Sequence, residues 1–215
     1  MRLEIWLDYL SPLCYKQQKS VEKLLKLYQF KDLELLYRSY EMIPFFIPHA
    51  DCSFHTIMSK HHVISLEEAE RFTAEIHPNL KPVSVIDAHR LSHLAKKENC
   101  SLAYNTNVFK AFYEEHKDIS NHQVLLDIAI QSGINEDEAR LVLSSDMYLT
   151  QVQSNRENAI VKGIFELPHI RIDGKHRLNG YHDDQALMDQ LIRASAQYVK
   201  NDYCEGENCH RKKTH

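Results

Sequence analysis

The stretch from Leu3 to Tyr15 constrains the fold of this chain more than any other. Leu3, Ile5 and Leu7 alternate with Glu4, Trp6 and Asp8, the period-two pattern of a strand. Ser11-Pro12 follows almost at once. Serine is a favoured helix N-cap, and proline is pre-set for the first helical position, where its missing N–H loses nothing. Val21, Leu24, Leu25 and Tyr28 continue at helical spacing. A strand therefore runs straight into a helix and puts Cys14 in the first helical turn. There the free N–H groups and the positive end of the helix dipole favour a thiolate. Leu33 to Tyr40 reads as a second strand. With the first strand and helix it makes a βαβ unit with parallel strands and a right-handed crossover. Pro44 and Pro48 end it.

From Ser65 the pattern turns helical for roughly eighty residues on periodicity alone. Ser65-Leu-Glu-Glu68 is a capping box that opens a helix to about Ile76, broken by Pro78 and Pro82. Asp87 to Ala95 is the next helix, and Val108, Phe109, Phe112 and Tyr113 mark another. Ser120 is expected to cap a helix closed by Gly133, and Asn135 a short one through Leu143. Tyr148 to Lys162 is the last of this block. The period then reverts to two at His169-Ile-Arg-Ile-Asp173, and Asp173-Gly174 signals a hairpin. Asp183 or Asp184 caps a final helix with Leu187, Leu191 and Ile192 on one face. The order β-α-β, helices, β-β-α is a thioredoxin fold with a large all-helical insertion. The divisions are 1–50 for the N-terminal βαβ part, 51–162 for the insertion, 163–198 for the C-terminal ββα part and 199–215 for a tail.

At 215 residues the chain suits one domain with an insertion. Only 5 Gly and 6 Pro accord with a helix-rich protein. A net charge of −4 argues against an electrostatic nucleic-acid binder. No apolar run approaches a membrane span. Five cysteines, three of them (Cys14, Cys52 and Cys100) far apart, fit a reducing compartment better than a disulfide scaffold. With Met1 leading directly into a strand and no secretory signal, the expected location is cytoplasmic. Cys52 reads as structural or surface. Both a monomer and a homodimer are compatible with the sequence.

The strand–Ser-Pro-helix start resembles the active site of the DsbA-type thioredoxin fold, whose first helix begins Cys-Pro-x-Cys. Here the motif is Ser11-Pro12-Leu13-Cys14. Within that family the chain is similar to the FrnE-like branch. The carrying stretches are Trp6 to Cys14, Tyr37-Arg-Ser-Tyr-Glu41, Asp87-Ala-His-Arg-Leu91, Gly163-Ile-Phe-Glu-Leu-Pro168 and Asn179-Gly180. Cys204 and Cys209 match a Cys-x4-Cys element that some FrnE-like proteins carry after the fold. The resemblance implies thiol–disulfide exchange, and relatives include glutathione-dependent isomerases and kappa-class transferases. The chain departs from FrnE-like proteins at Ser11, and at Tyr181-His182 where Ala-Gln is usual.

In a dithiol motif the first cysteine attacks and the second resolves the mixed disulfide. With Ser11 no internal disulfide forms, which leaves Cys14 as the sole thiol of the motif, or as a small apolar core residue beside an N-cap serine. The resemblance offers another role for Ser11. Serine at this position in the isomerases and kappa-class transferases donates to a glutathione sulfur, so glutathione or another small thiol is the co-substrate it implies. A third reading is a catalytically silent protein that grips extended peptides at Leu167-Pro168. The resemblance makes Pro168 a cis proline facing the first helix, with Pro12, Leu13 and Leu167 beside the substrate. Arg90 lies on a helix where it either meets a substrate carboxylate or makes an internal salt bridge, the commoner outcome. The fourteen histidines show no metal-ligand spacing within the fold. In the tail, Cys204 and Cys209 read as a reversible redox pair or as idle thiols. Their distance from His210 and His215 is too short for a zinc finger.

Overall fold

The computed structural model describes the chain except at residues 29, 31–32, 45, 48–52, 62, 77–79 and 204–215, and describes residues 195–203 by their backbone alone. Pro48, Cys52, Pro78, Cys204 and Cys209 therefore lie outside the described residues.

Strand β1 (Arg2–Leu7) leads through a tight turn into helix α1 (Pro12–Leu27), and strand β2 (Glu34–Ser39) returns parallel to β1. Strands β3 (His169–Ile172) and β4 (His176–Asn179) form a hairpin, with β3 antiparallel to β1. The sheet order is β2-β1-β3-β4. Helix α9 (Asp184–Tyr203) closes the fold and packs on α1. This is the thioredoxin arrangement expected from the order of elements.

The alternation in β1 marks the two sheet faces, but neither faces water. Leu3 and Ile5 pair with Ile172 and Ile170 on one face, all at most 3% exposed. Trp6, on the other face, is just as buried and sits edge-on to His169 with ring centroids 5.4 Å apart. Arg38 reaches from β2 to the largely buried Glu4 at 2.7 Å. The β3–β4 connection has three residues, Asp173 to Lys175; Asp173 and Gly174 both take positive φ, as Asp-Gly favours in a tight turn, and Lys175 N–H closes it on the Ile172 carbonyl at 3.1 Å.

The insertion between β2 and β3 is helical throughout its described elements. Helix α2 (Phe54–Lys60) has no counterpart in the sequence reading. It is only 7 residues long, too short for periodicity to declare it, and Ser53 caps it by accepting from Thr56 N–H at 3.3 Å. Helix α3 (Leu66–Ile76) opens on the expected capping box. Glu68 N–H donates to Ser65 Oγ at 3.2 Å, and Ser65 N–H to Glu68 Oε2 at 3.0 Å. Helices α4 (Ile86–Lys97) and α5 (Ser101–Tyr113) bring Leu91, Leu94, Tyr104 and Phe109 into the centre. Helix α6 (His122–Gln131) starts one residue later than expected. Asn121, not Ser120, is its cap, accepting from Gln123 and Val124 N–H, while Asp118 holds the Ser120 N–H at 2.8 Å. Asn135 caps α7 (Glu136–Leu143) as expected, and α8 (Leu149–Val161) packs with α4 against β2.

Candidate active site

The motif sits where β1 ends and α1 begins, and Asp8 builds the turn between them. Its backbone carbonyl accepts from Ser11 N–H at 3.1 Å. Its carboxylate accepts from Leu10 N–H at 2.7 Å and from Met42 N–H at 2.6 Å, which ties the motif to the segment after β2. Asp8 is fully buried, and burial pushes its pKa up to about 6 against the pull of those two donors. Glu41 is also buried. Burial first, then the charge of Asp8, raises it to about 7, opposed by Arg156.

Ser11 is the N-cap of α1. Its Oγ accepts from Cys14 N–H at 3.2 Å, and its carbonyl accepts from Tyr15 N–H at 3.1 Å. Pro12 has no N–H, so Leu13 holds the one first-turn donor that Ser11 does not occupy. Ser11 is 0% exposed and Cys14 is 2% exposed. This corrects the expectation of an ionised thiol at the helix start. Burial raises the Cys14 pKa to about 12, although the Ser11 side chain and the Asp8 backbone lower it and the Asp8 charge opposes them. A helix dipole supplies on the order of 1 kcal/mol, less than the desolvation of a buried thiolate. At rest Cys14 is a protonated thiol whose sulfur neighbours the Ser11 hydroxyl.

Opposite the motif, the Leu167–Pro168 peptide bond is cis. The β1–β3 register sets Trp6 across from His169, so Pro168 follows on to the strand end from which the motif departs. Leu167 is 6% exposed, and Pro168 and His169 are buried. His169 Nδ1 and Asn179 Oδ1 are 2.8 Å apart. Gly180 has φ of +71°, and a Cβ there would stand 2.7 Å from Glu166 Oε1, so the Glu166 carboxylate lies against the Gly180 backbone.

Helix α3 covers the outer side of the motif. Pro12, Leu13 and Lys16 face Ile64, Glu68, Arg71 and Phe72 across a pocket of about 60 Å³. That space admits a water or two, not a peptide or a tripeptide thiol. A roomier groove of about 740 Å³ lies at the other end of β2, lined by Leu25, Tyr28, Leu35 and Leu102, away from the motif.

Arg90 does not belong to this site. It is 6% exposed, and its guanidinium donates to the Val142, Ser145 and Met147 carbonyls and to Asp87 at 2.6 Å. The substrate role is corrected to an internal clasp, because every reach of the side chain is taken by the α7–α8 connection. The internal salt bridge, expected as the commoner outcome, is present and is made with Asp87 one turn earlier in the helix. Among the described residues no group of His, Cys, Asp or Glu is arranged to hold a metal.

Sequence reasoning missed Asp8 and Glu41 as buried acids beside the motif, and Phe72 and Tyr113 as its cover. Asp8 had a usable signal, since an acid three residues before the N-cap suits an Asx turn. The other residues are joined to the motif only by tertiary packing.

This geometry, a strand entering a helix at a Ser-Pro-x-Cys turn beside a cis proline, defines a thioredoxin-fold protein of the thiol-exchange class. The DSBA-like thioredoxin domain model matches residues 2–192, so the chain belongs to the DSBA-like thioredoxin domain family. It is 27% identical over 151 residues to the uncharacterized protein YwbO of Bacillus subtilis, covering 69% of this chain and 74% of that one. Among solved structures it resembles a probable DsbA oxidoreductase of Streptomyces coelicolor (TM-score 0.77, 23% identity, 92% of this chain and 91% of that one). It also resembles a 2-hydroxychromene-2-carboxylate isomerase (TM-score 0.64, 15% identity, 96% of this chain and 100% of that one). At those identities the structural likeness establishes the fold.

Proposed function

We propose that this protein is a monothiol variant of a FrnE-like thiol–disulfide oxidoreductase, in which Cys14 alone exchanges with a disulfide. The observation that carries the reading is the place of Cys14. It lies in the first turn of α1, at the strand end shared with the cis Leu167–Pro168 pair. As the cover of the motif opens, Cys14 loses its proton to solvent. The thiolate attacks one sulfur of R–S–S–R′, forming Cys14–S–S–R and releasing R′–S⁻. No second motif thiol resolves this adduct, so a small external thiol such as glutathione completes the cycle by attacking it and regenerating Cys14.

Burial slows the first step, because the closed protein holds Cys14 as a thiol and ionisation waits on the fraction of molecules whose cover is open. Exchange slower than at a free thiol is the expected result. An extended peptide or a small disulfide are the substrates that Pro12, Leu13 and Leu167 would border.

A second reading is favoured by one observation. Ser11 Oγ accepts from Cys14 N–H, so its O–H points donor capacity toward the sulfur side of the turn, where the Cys14 thiol lies now and a substrate sulfur would have to take its place. A glutathione-like thiol seated there would make the site that of an isomerase or transferase. Reduction of insulin disulfides by dithiothreitol separates the two readings. Slow catalysis that Cys14→Ser abolishes, that survives replacement of Cys204 and Cys209, and that Ser11→Cys accelerates at least tenfold is the expected result. Catalysis indifferent to Cys14→Ser removes the monothiol reading. Glutathione binding by calorimetry that Ser11→Ala abolishes would support the second.

A further inference from the structure

Strand β2 is the outer strand of the sheet and pairs with β1 alone. Glu34 N–H and Tyr40 N–H donate to the Met1 and Leu7 carbonyls at 2.9 and 3.0 Å, and the register between them is unbroken. Along a parallel pair, the residues of a strand alternate between bonding toward the partner and bonding away from it. The even-numbered residues of β2 therefore carry the ladder to β1. Leu35, Tyr37 and Ser39 turn their N–H and C=O groups to the outer edge. Helix α4 stands against the Ser39 end, where the Ser39 hydroxyl meets His93 Nε2 at 3.0 Å. Leu35 lies instead in the wall of the groove of about 740 Å³. Among the described residues no backbone group bonds to the outward side of Leu35.

The groove has the other parts of a strand-binding site. Leu25 and Tyr28 at the end of α1, and Leu102 at the start of α5, give it apolar walls, and Tyr28 is 48% exposed. Lys96, in the last turn of α4, supplies a cation. Glu34, the acid among the lining residues, is already held by Arg2 at 3.1 Å, and Lys96 makes no ion pair among the described residues. A free strand edge pairs with another chain unless a proline, a bulge or a guarding charge prevents it. Strand β2 has no proline and no bulge, and its two charged residues are engaged, Glu34 by Arg2 and Arg38 by Glu4. Unused backbone groups, apolar walls and one unbalanced cation are the complement of an extended chain with alternate apolar side chains and a carboxylate. Residues 204–215 of this chain offer no apolar side chain besides two cysteines, so they do not fit that description.

We propose that the Leu35 edge of β2 takes an extended, acidic and apolar segment of another polypeptide as a fifth strand. Its backbone pairs with Leu35 N–H and C=O, its apolar side chains rest on Leu25, Tyr28 and Leu102, and its carboxylate meets Lys96. The groove lies away from the Cys14 motif, so this surface is independent of the exchange reading.

The probe is an acetylated, fluorescein-labelled nonapeptide that alternates valine with threonine and carries one central glutamate. Its binding to the full chain is read by fluorescence anisotropy. Saturable binding is expected, weakened about tenfold or more by Lys96→Glu, which sets like charges together, and weakened by glutamine in place of the peptide's glutamate. Leu35→Pro removes a donor on the outer edge and none that the β1 ladder uses, so it should abolish binding while the sheet stays intact. Cys14→Ser should bind as the wild type does. Hydrogen exchange gives a reading that needs no variant. The Leu35 amide should exchange faster than that of Leu36 in the free protein and slow when the peptide is added. Absence of saturable binding, or binding that leaves Leu35 exchange unchanged, would overturn the proposal. A dimer in sedimentation that is lost in Leu35→Pro would overturn it too, by giving the edge to a second copy of this chain.

Discussion

His89 carries two ring nitrogens into the interior that find no hydrogen-bond partner among the described residues, at 0% exposure, with its ring 4.7 Å from that of Tyr9. Burial, reinforced by nearby His93, lowers its pKa to about 3. The folded protein therefore refuses a proton that the unfolded chain binds below about pH 6.5, so stability attributable to His89 is present above that pH and lost as pH falls toward 3. Asp8 and Glu41 act in the opposite sense. Their raised values mean that the folded state holds protons the unfolded state has released, so their unfavourable ionisation is relieved as pH falls through 7 and 6. Urea unfolding of His89→Leu against the wild type isolates the histidine. The variant should gain about 1.4 kcal/mol per pH unit relative to the wild type on acidification from pH 6.5 to 4.5, and parallel curves would refute the buried neutral ring. This residue also shows what a sequence hides. Its helix and apolar neighbours were readable from Ala88, Leu91 and Leu94, whereas its unpaired state depends on Tyr9, placed there by the sheet. Cys14 teaches the same point in the opposite direction. The Ser11 cap was readable, but burial by α3 and α5 reverses the electrostatic consequence drawn from it.

Most elements follow from local chemistry, and so were legible. The strand before Ser11, the Ser65–Glu68 box, the Asn135 cap and the Asp173-Gly174 turn each depend on residues within a few positions. Helix α2 and the choice of Asn121 over Ser120 were not legible. The first is too short to show a period, and the second is decided by Asp118 capturing the competing serine. The role of Arg90 belongs at this scale as well, since it ties α4 to the connection between α7 and α8. Arg90→Met should cost about 2–4 kcal/mol, because it removes the guanidinium donor from three buried-side carbonyls, Val142, Ser145 and Met147, and from Asp87. Thermal unfolding should show that loss, while the Cys14 alkylation rate per folded molecule stays at the wild-type value. A loss of exchange activity with unchanged stability would return Arg90 to the substrate. Gly180→Ala adds a Cβ against Glu166 at a backbone angle that favours glycine. A loss of about 1–2 kcal/mol is expected, with Glu166→Ala relieving only the steric part. An alanine variant as stable as the wild type would contradict the cost assigned to a side chain at this positive φ.

For the molecule as a whole, the sheet and its helical insertion meet at the motif and close over it. Ser11, Cys14, Leu167 and Pro168 are all buried, and the space beside them is too small for a substrate. On the proposed reading, exchange requires the cover to open, and Cys14 then does the chemistry with no second thiol in its motif to release the product. The measurement that tests this most directly follows the mixed disulfide itself. The folded protein, with Cys204 and Cys209 replaced by serine, is treated with glutathione disulfide, acid-quenched at intervals and mapped by mass spectrometry. The account predicts a glutathione adduct on Cys14 that accumulates slowly and persists until a reducing thiol is added. In Ser11→Cys the adduct should be transient and give way to a disulfide between Cys14 and the introduced thiol. An adduct that never forms on Cys14 while the protein is folded, or one that clears from the wild type as fast as from Ser11→Cys, would contradict it.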